Sequence, residues 1–281
     1  HNTFVSYQQM AGYETPSVKK HTTTSTPSND TDNGWHIVLQ DLDFSGNSAQ
    51  YHNFNEPFQK GAFDTNHVWI TNLTTQVSDF EWNGADIRGT LENLSLRERS
   101  GFAVESFSST FALTEKRASI KDFKFLSPNT NISLAAEATF NTLANISETY
   151  PDMAIRMAIK NSAIGLKDVR LFAPAMFDSL PLHLPENTTI RLDTKADGQL
   201  KDFLIDHLTV ETLNRTKLDV SGRLNMSVNE DPYFDMKLRQ FYTTTNDIRT
   251  IIPDTLLPAS IALPEWLNLN GSLKGTLESR N

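Results

Sequence analysis

The chain has 281 residues, a net charge of −9 at pH 7 and no cysteine, so disulfides, thiolate catalysis and cysteine-based metal sites are excluded together. Its basic residues are scattered, and no Lys/Arg cluster interleaved with aromatics marks a nucleic-acid surface or a charge-driven attraction to anionic headgroups. Only 38% of residues are hydrophobic and mean hydropathy is −0.40, which for a chain of this length points to a thin core, such as one face of a sheet.

The chain opens at His1 rather than Met, as expected of a fragment or a processed chain. No run of about 18 apolar residues is present, so no membrane-spanning helix is expected. Residues 15–34, TPSVKKHTTTSTPSNDTDNG, have too few apolar side chains to offset their ordering entropy and read as a polar loop.

From Trp35 onward the apolar residues recur with a period of two. Val68 and Ile70 alternate with polar neighbours, as do Ile87 and Leu91, Leu94 and Leu96, Phe102 and Val104, and Phe111 and Leu113. Ile132 and Leu134 follow, then Met153, Ile155, Met157 and Ile159, and Ile190 and Leu192. Leu218, Val220 and Leu224 continue the series, and Leu269 closes it. Such alternation describes strands with one apolar and one polar face, and these 22 residues are the expected apolar lining. Small residues in the same phase (Gly89, Ala136, Ala138, Ala196, Gly222, Gly271, Gly275) leave room on that face or permit curvature. Asn83-Gly84 and Asp197-Gly198 read as turns. The expected architecture is all-β and antiparallel, with about 15 to 20 strands at ordinary strand lengths. Trp69, out of phase with Val68 and Ile70, is expected on the outer face.

Two segments break the alternation. GLKDVRLFAPAMFDSLP (165–181) and TTNDIRTIIPDTLLP (244–258) read as short helical turns stopped by proline. They belong to a repeat. Asp168 aligns with Asp247, Arg170 with Arg249, Pro174 with Pro253, Pro185 with Pro264 and Glu186 with Glu265, each pair 79 positions apart (253 less 174). Gly198 and Gly275 are 77 apart, so the register slips by two. A strand-rich repeat suggests modules stacked along an axis, with the prolines at the module boundaries. The expected divisions are 1–34, the end of a preceding module and a polar loop; 35–160, a first β-groove module; 161–243, a second; and 244–281, the start of a third.

Chemistry is sparse. Asp41, Asp43, Ser45 and Gly46 open like a calcium loop, but His52 stands where the closing glutamate belongs, and the surroundings read as strand. The seven histidines show no metal-ligand spacing, and no nucleophile elbow, phosphate loop or HExxH helix occurs. His67 reads as a structural hydrogen-bonding residue. No enzyme, cofactor or metal is expected.

Certain stretches are similar to a known family. Residues 35–140 resemble the TamB/AsmA-like family in its Bacteroidetes form, through Trp35 with IVLQDLDFSG, GAFDTNHVWITNL (61–73), IRGTLENLSLRERSGFAVESFSSTFAL (87–113) and IKDFKFLSPNTNISL (120–134). The most specific residues are Leu94, Ser95, Leu96, Glu98, Ser100, Gly101 and Phe102. The module at 160–277, with its LP…LPE followed by strand-Gly-strand, resembles the family's central repeats, so the likeness covers about 35–281. It implies a middle segment of an inner-membrane-anchored periplasmic protein of a Gram-negative bacterium, an elongated, curled antiparallel sheet with short helical crossovers. It implies phospholipid acyl chains as the cargo and an outer-membrane barrel assembly protein as a partner of segments beyond this one. Alternation by itself favours a two-sheet sandwich or barrel; the repeat and the resemblance favour the open groove. An assembly scaffold for outer-membrane proteins and a cell-surface binding sandwich remain alternatives.

Overall fold

The computed structural model describes residues 3–10, 12, 36–174, 184–199, 201–225, 232–252 and 262–276. Outside them lie the polar stretch 15–34, Trp35, residues 175–183, Met226, residues 253–261 and Leu277.

Thirteen strands form one open sheet in which every neighbour in space is a neighbour in sequence. They are β1 (Phe4–Gln9), β2 (His36–Asn53), β3 (His67–Asn83), β4 (Asp86–Glu98), β5 (Ala103–Leu113), β6 (Arg117–Leu126), β7 (Asn131–Thr139), β8 (Ala154–Gly165), β9 (Thr189–Gln199), β10 (Asp202–Thr212), β11 (Thr216–Asn225), β12 (Tyr233–Thr244) and β13 (Trp266–Thr276). Short helices interrupt them: α1 (Ile146–Thr149) with a 3₁₀ turn at Tyr150–Asp152, α2 (Leu166–Phe172) and α3 (Thr245–Ile251). The architecture is therefore an elongated, curled, all-β sheet that does not close.

Three details depart from the sequence expectation. The strands are fewer because they are long: β2 has 18 residues and β3 has 17, against a usual length of about 5 to 6. One pairing is parallel, with Phe4 to Gln9 of β1 running alongside Ser48 to Asn53 of β2. Asp197-Gly198 is not a turn but lies inside β9. Asn83 and Gly84 do reverse the chain between β3 and β4, with Gly84 at φ +58°. The ladder is continuous through β8–β9 and β12–β13.

A single sheet has little interior. The chain exposes 19348 Å², whereas a compact monomer of 31.6 kDa exposes roughly 12,000 Å². Among the described residues, only Ala103, Val104, Phe140, Leu166 and Ala196 are buried hydrophobics. No described helix is long and apolar enough to cross a membrane. Twelve strand spacings of about 4.8 Å make the sheet about 58 Å long, shorter than 15 to 20 strands would give.

The two edges of the sheet differ. Reading the chain direction strand by strand, the loop 54–66, the turns 99–102, 127–130 and 213–215, and both α2 and α3 all fall at one edge, here the upper edge. The helices sit where the chain makes its long connections between adjacent antiparallel strands, β8 to β9 and β12 to β13.

Candidate functional site

The pairing register decides which side chains share a face, because partners directly across a ladder project from the same side. Ile87 of β4 pairs with Leu113, Gly89 with Phe111, Leu94 with Phe107 and Leu96 with Val104. Phe125 of β6 pairs with Phe107 and with Ile132, and Leu134 pairs with Ile159. Met157 pairs with Ala196, and Ala196 with Ile205. Leu208 pairs with Val220, Val220 with Leu238, and Leu238 with Gly271. On the other side Leu91 leads to Val77, Val77 to Leu42, and Ile70 to Ala49 and Val5. One apolar face thus runs through all thirteen strands.

The register places Val68, Ile70, Ile87, Leu91, Leu94, Leu96, Val104, Phe111 and Leu113 on this face, with Ile132, Leu134, Ile155, Met157, Ile159, Ile190, Leu192, Leu218, Val220, Leu224 and Leu269. Phe102 precedes β5 and stacks on Phe125 of the same face. Met153 is outside the strands, following the 3₁₀ turn before β8. Trp69 pairs with Gln50 on the opposite face and is exposed.

The face also contains residues that period-two reading does not collect. Ile37, Leu39, Leu42 and Phe44 of β2 belong to it, as do Phe80 and Trp82 of β3, Phe123 of β6, Phe203 and Val210 of β10, and Phe241 of β12. Most were hidden by β-bulges, where one extra residue reverses the phase. The signal was in the sequence: Asn72, Asp79, Asp122 and Asn161 hold positive φ within their strands, at 52°, 52°, 50° and 46°. Asn and Asp tolerate that region better than other residues with a Cβ.

Bulges leave ladder groups without a strand partner, and small hydroxyl residues supply one. Ser162 Oγ accepts from Ser133 N at 2.9 Å beside the bulge at Asn161. Thr194 Oγ1 donates to His207 O at 2.8 Å beside the irregularity in β10. These hydroxyls face the apolar side but are turned into the backbone.

The opposite face is charged. Arg88 pairs there with Glu81, Arg117 with Glu137, Lys195 with Asp206, Lys217 with Glu211 and Lys274 with Asp235. Bonding to Lys195 holds the Asp206 carboxyl below its ordinary value despite opposing desolvation. His207 donates to Asp193 on the same side at 2.8 Å. Asp41 and Asp43 lie in the middle of β2 rather than in a loop. No group of three or more His, Asp or Glu among the described residues is arranged to hold a metal ion.

The upper edge is the most ordered polar region. Asp64 accepts from Gln59 N, Asn66 N and His67 Nδ1 at 2.9 to 3.0 Å. Burial pushes its carboxyl up, but these bonds outweigh burial and hold it below the ordinary aspartate value. Glu98 behaves likewise: burial opposes ionisation, while bonds from Ser100, Trp69 N and Arg99 N prevail. Arg99 donates to His67 O and lies 4.2 Å above the Phe58 ring. These groups satisfy one another and fix the loop.

The same edge carries an aromatic cluster on the apolar side. Phe63 of the 54–66 loop lies 5.1 Å from Phe172 of α2, and Phe172 meets Phe102 edge-on at 4.7 Å. Phe107 in turn contacts Phe123 and Phe125. Phe63 N donates to Leu171 O at 2.7 Å, joining the β2–β3 loop to the helix after β8, five strands away. That contact requires the sheet to curl toward its apolar side.

No protein-family model, curated protein or solved structure matches this chain.

Proposed function

We propose that this chain is a segment of a lipid conduit of the cell envelope, holding phospholipid acyl chains against its apolar face while the charged face meets water. The observation that carries this reading is the apolar register that runs from Val5 to Leu269, with no second sheet over it among the described residues and cross-strand ion pairs on the reverse. Each methylene moved from water onto such a face gains about 0.8 kcal/mol, so even one tail contributes many kcal/mol. No side chain on the face has to react. The mechanism is shielding, and movement along the face costs little because neighbouring positions are chemically alike. The resemblance to TamB/AsmA-like sequences supports a periplasmic setting, with an outer-membrane barrel protein reached through other segments.

The test uses the whole chain, purified from a Gram-negative periplasm in minimal detergent. Native mass spectrometry with lipid extraction is expected to find several phospholipids per chain, and fewer for Val220→Asp and Ile155→Asp with the fold kept by circular dichroism. A folded wild-type chain free of lipid would count against the conduit.

A second reading, a scaffold that offers sheet edges to barrel proteins in assembly, has one supporting observation. Among the described residues β13 pairs on one side only and exposes Trp266, Leu269 and Leu273. Photo-crosslinks from β13 to a barrel substrate, in a lipid-free chain, would favour it.

A further inference from the structure

The groove is not equally open along its length. Over β9 to β13 nothing among the described residues stands above the apolar face except α3 at its rim. Over β4 to β7 the loop 54–66 reaches from one side and α2 from the other. They meet through one backbone hydrogen bond and the Phe63–Phe172 contact, with Phe172 resting on Phe102 below.

The two halves are firmly rooted and lightly joined. The loop is rooted by Asp64, bonded to Gln59, Asn66 and His67, and by Arg99 on Phe58. α2 is rooted by Asp168, which accepts from Ser127 Oγ and from Asn129 Nδ2. Gly61, at φ +78°, lies with Phe63 inside the short 59–64 turn that Asp64 closes by accepting from Gln59 N. Phe172 is 51% exposed although it sits in the cluster. Two anchored arms that meet over the face through a small apolar joint are the parts of a closure.

We propose that the 54–66 loop and α2 form a closure over the groove between β4 and β7, which parts at the Phe63–Phe172 joint to admit an acyl chain and shuts over it. The bound chain replaces water against Phe102, Phe107 and Phe125, and the roof of Phe63 and Phe172 completes its apolar surround. This inference rests on the conduit reading and adds where an acyl chain is retained and what controls its entry.

The absence of native cysteine allows a clean test. Phe63→Cys and Phe172→Cys are combined in the full chain and tied with a short, reducible bis-maleimide. The control carries N-ethylmaleimide, which adds bulk without a tie. The probe is a pyrene-labelled phospholipid in vesicles of phosphatidylethanolamine and phosphatidylglycerol, with circular dichroism reporting the fold. Tying is expected to slow uptake about tenfold relative to the control, to slow release from preloaded chain by a similar factor, and to lose both effects on reduction. Equal uptake by tied and untied chains would overturn the closure and leave the conduit standing. Failure of wild type and both modified forms to take up any probe would overturn the two together.

Discussion

The connections at α2 and α3 are two copies of one device, and their differences show which parts of it are structural. Each helix places an aspartate in its first turn, Asp168 and Asp247, and each aspartate grips the β-hairpin turn that precedes it by two strands. Asp168 accepts from Ser127 and Asn129 in the β6–β7 turn. Asp247 accepts from Asn214 N and Nδ2, Arg215 N and Thr216 Oγ1 in the β10–β11 turn. Both helix starts are bonded to the strand that follows: Leu166 N to Thr188 O, and Thr245 N to Glu265 O. Among the described residues, only α2 also supports an aromatic roof. The aspartate staple therefore serves the turn of the chain, and the roof is an addition to it.

The largest effect should come from the staple itself. Asp247 is fully buried and has more partners than Asp168. Asp247→Ala strands the donors of a whole turn and should cost about 3 kcal/mol in urea titrations, with Asp168→Ala costing roughly half as much. Equal losses would mean that the two staples are energetically alike despite their partners. The same site has a pH signature. Burial raises the Asp247 carboxyl, but bonds from Arg215 N, Thr216 and Asn214 outweigh it and depress it below the ordinary aspartate value. A depressed folded-state value stabilises the protein at and above about pH 4 and is lost as pH falls through it. Hydrogen exchange at the 213–216 turn should therefore loosen below about pH 4 in wild type, with a smaller acid response in Asp247→Asn.

The next effect separates how each helix begins. The residue before α2 is Gly165 and the residue before α3 is Thr244, again 79 positions apart. Gly165 is there for space: a Cβ would come within 2.5 Å of both Cβ and O of Asn129. Gly165→Ala must push α2 off its turn, at about 2 kcal/mol by analogy with overpacked cores. Because Asn129 also holds Asp168, exchange protection should fall across 127–130 and α2 together, while α3 is unaffected.

This repeat also shows what was legible in the sequence and what was not. The alternating face could be read directly from Ile87 to Leu91, at Phe111 and Leu113, and from Leu218 to Leu224, because those runs keep one phase. It could not be read through Ile120-Lys121-Asp122-Phe123, where the bulge at Asp122 moves Phe123 and Phe125 into the phase of Ile120. The identity of Asp168 with Asp247 was visible, but not its role, since no spacing rule ties a helix to a hairpin turn 31 to 41 residues earlier. The two-residue slip between repeats has a location: the connection from Leu166 to Thr188 is two residues longer than that from Thr245 to Glu265. Beyond that connection Gly198 and Gly275 are structural equivalents, pairing with Ile155 and Phe234, which are themselves 79 positions apart. The aromatic roof was not legible at all, because Phe63 and Phe172 are more than a hundred residues apart and meet only once the sheet has curled.

The smallest effect is the most informative about how the staple is assembled. Thr244 caps α3, its Oγ1 accepting from Asp247 N at 3.2 Å, while Gly165 provides α2 with no side-chain cap. Thr244→Ala should cost about 1 kcal/mol as an ordinary cap. The cap bonds the backbone of the same residue whose carboxylate holds the turn, so the two cannot be independent. Thr244 sets the orientation of the first turn of α3, and that orientation aims Asp247 at Arg215 and Thr216. In an Asp247→Ala background the Thr244→Ala loss should therefore shrink to less than half, read as the coupling in a double-mutant cycle. Strict additivity would mean that the strand pairing of Thr244 with Trp266 already fixes the helix, and that the cap only satisfies its own donor.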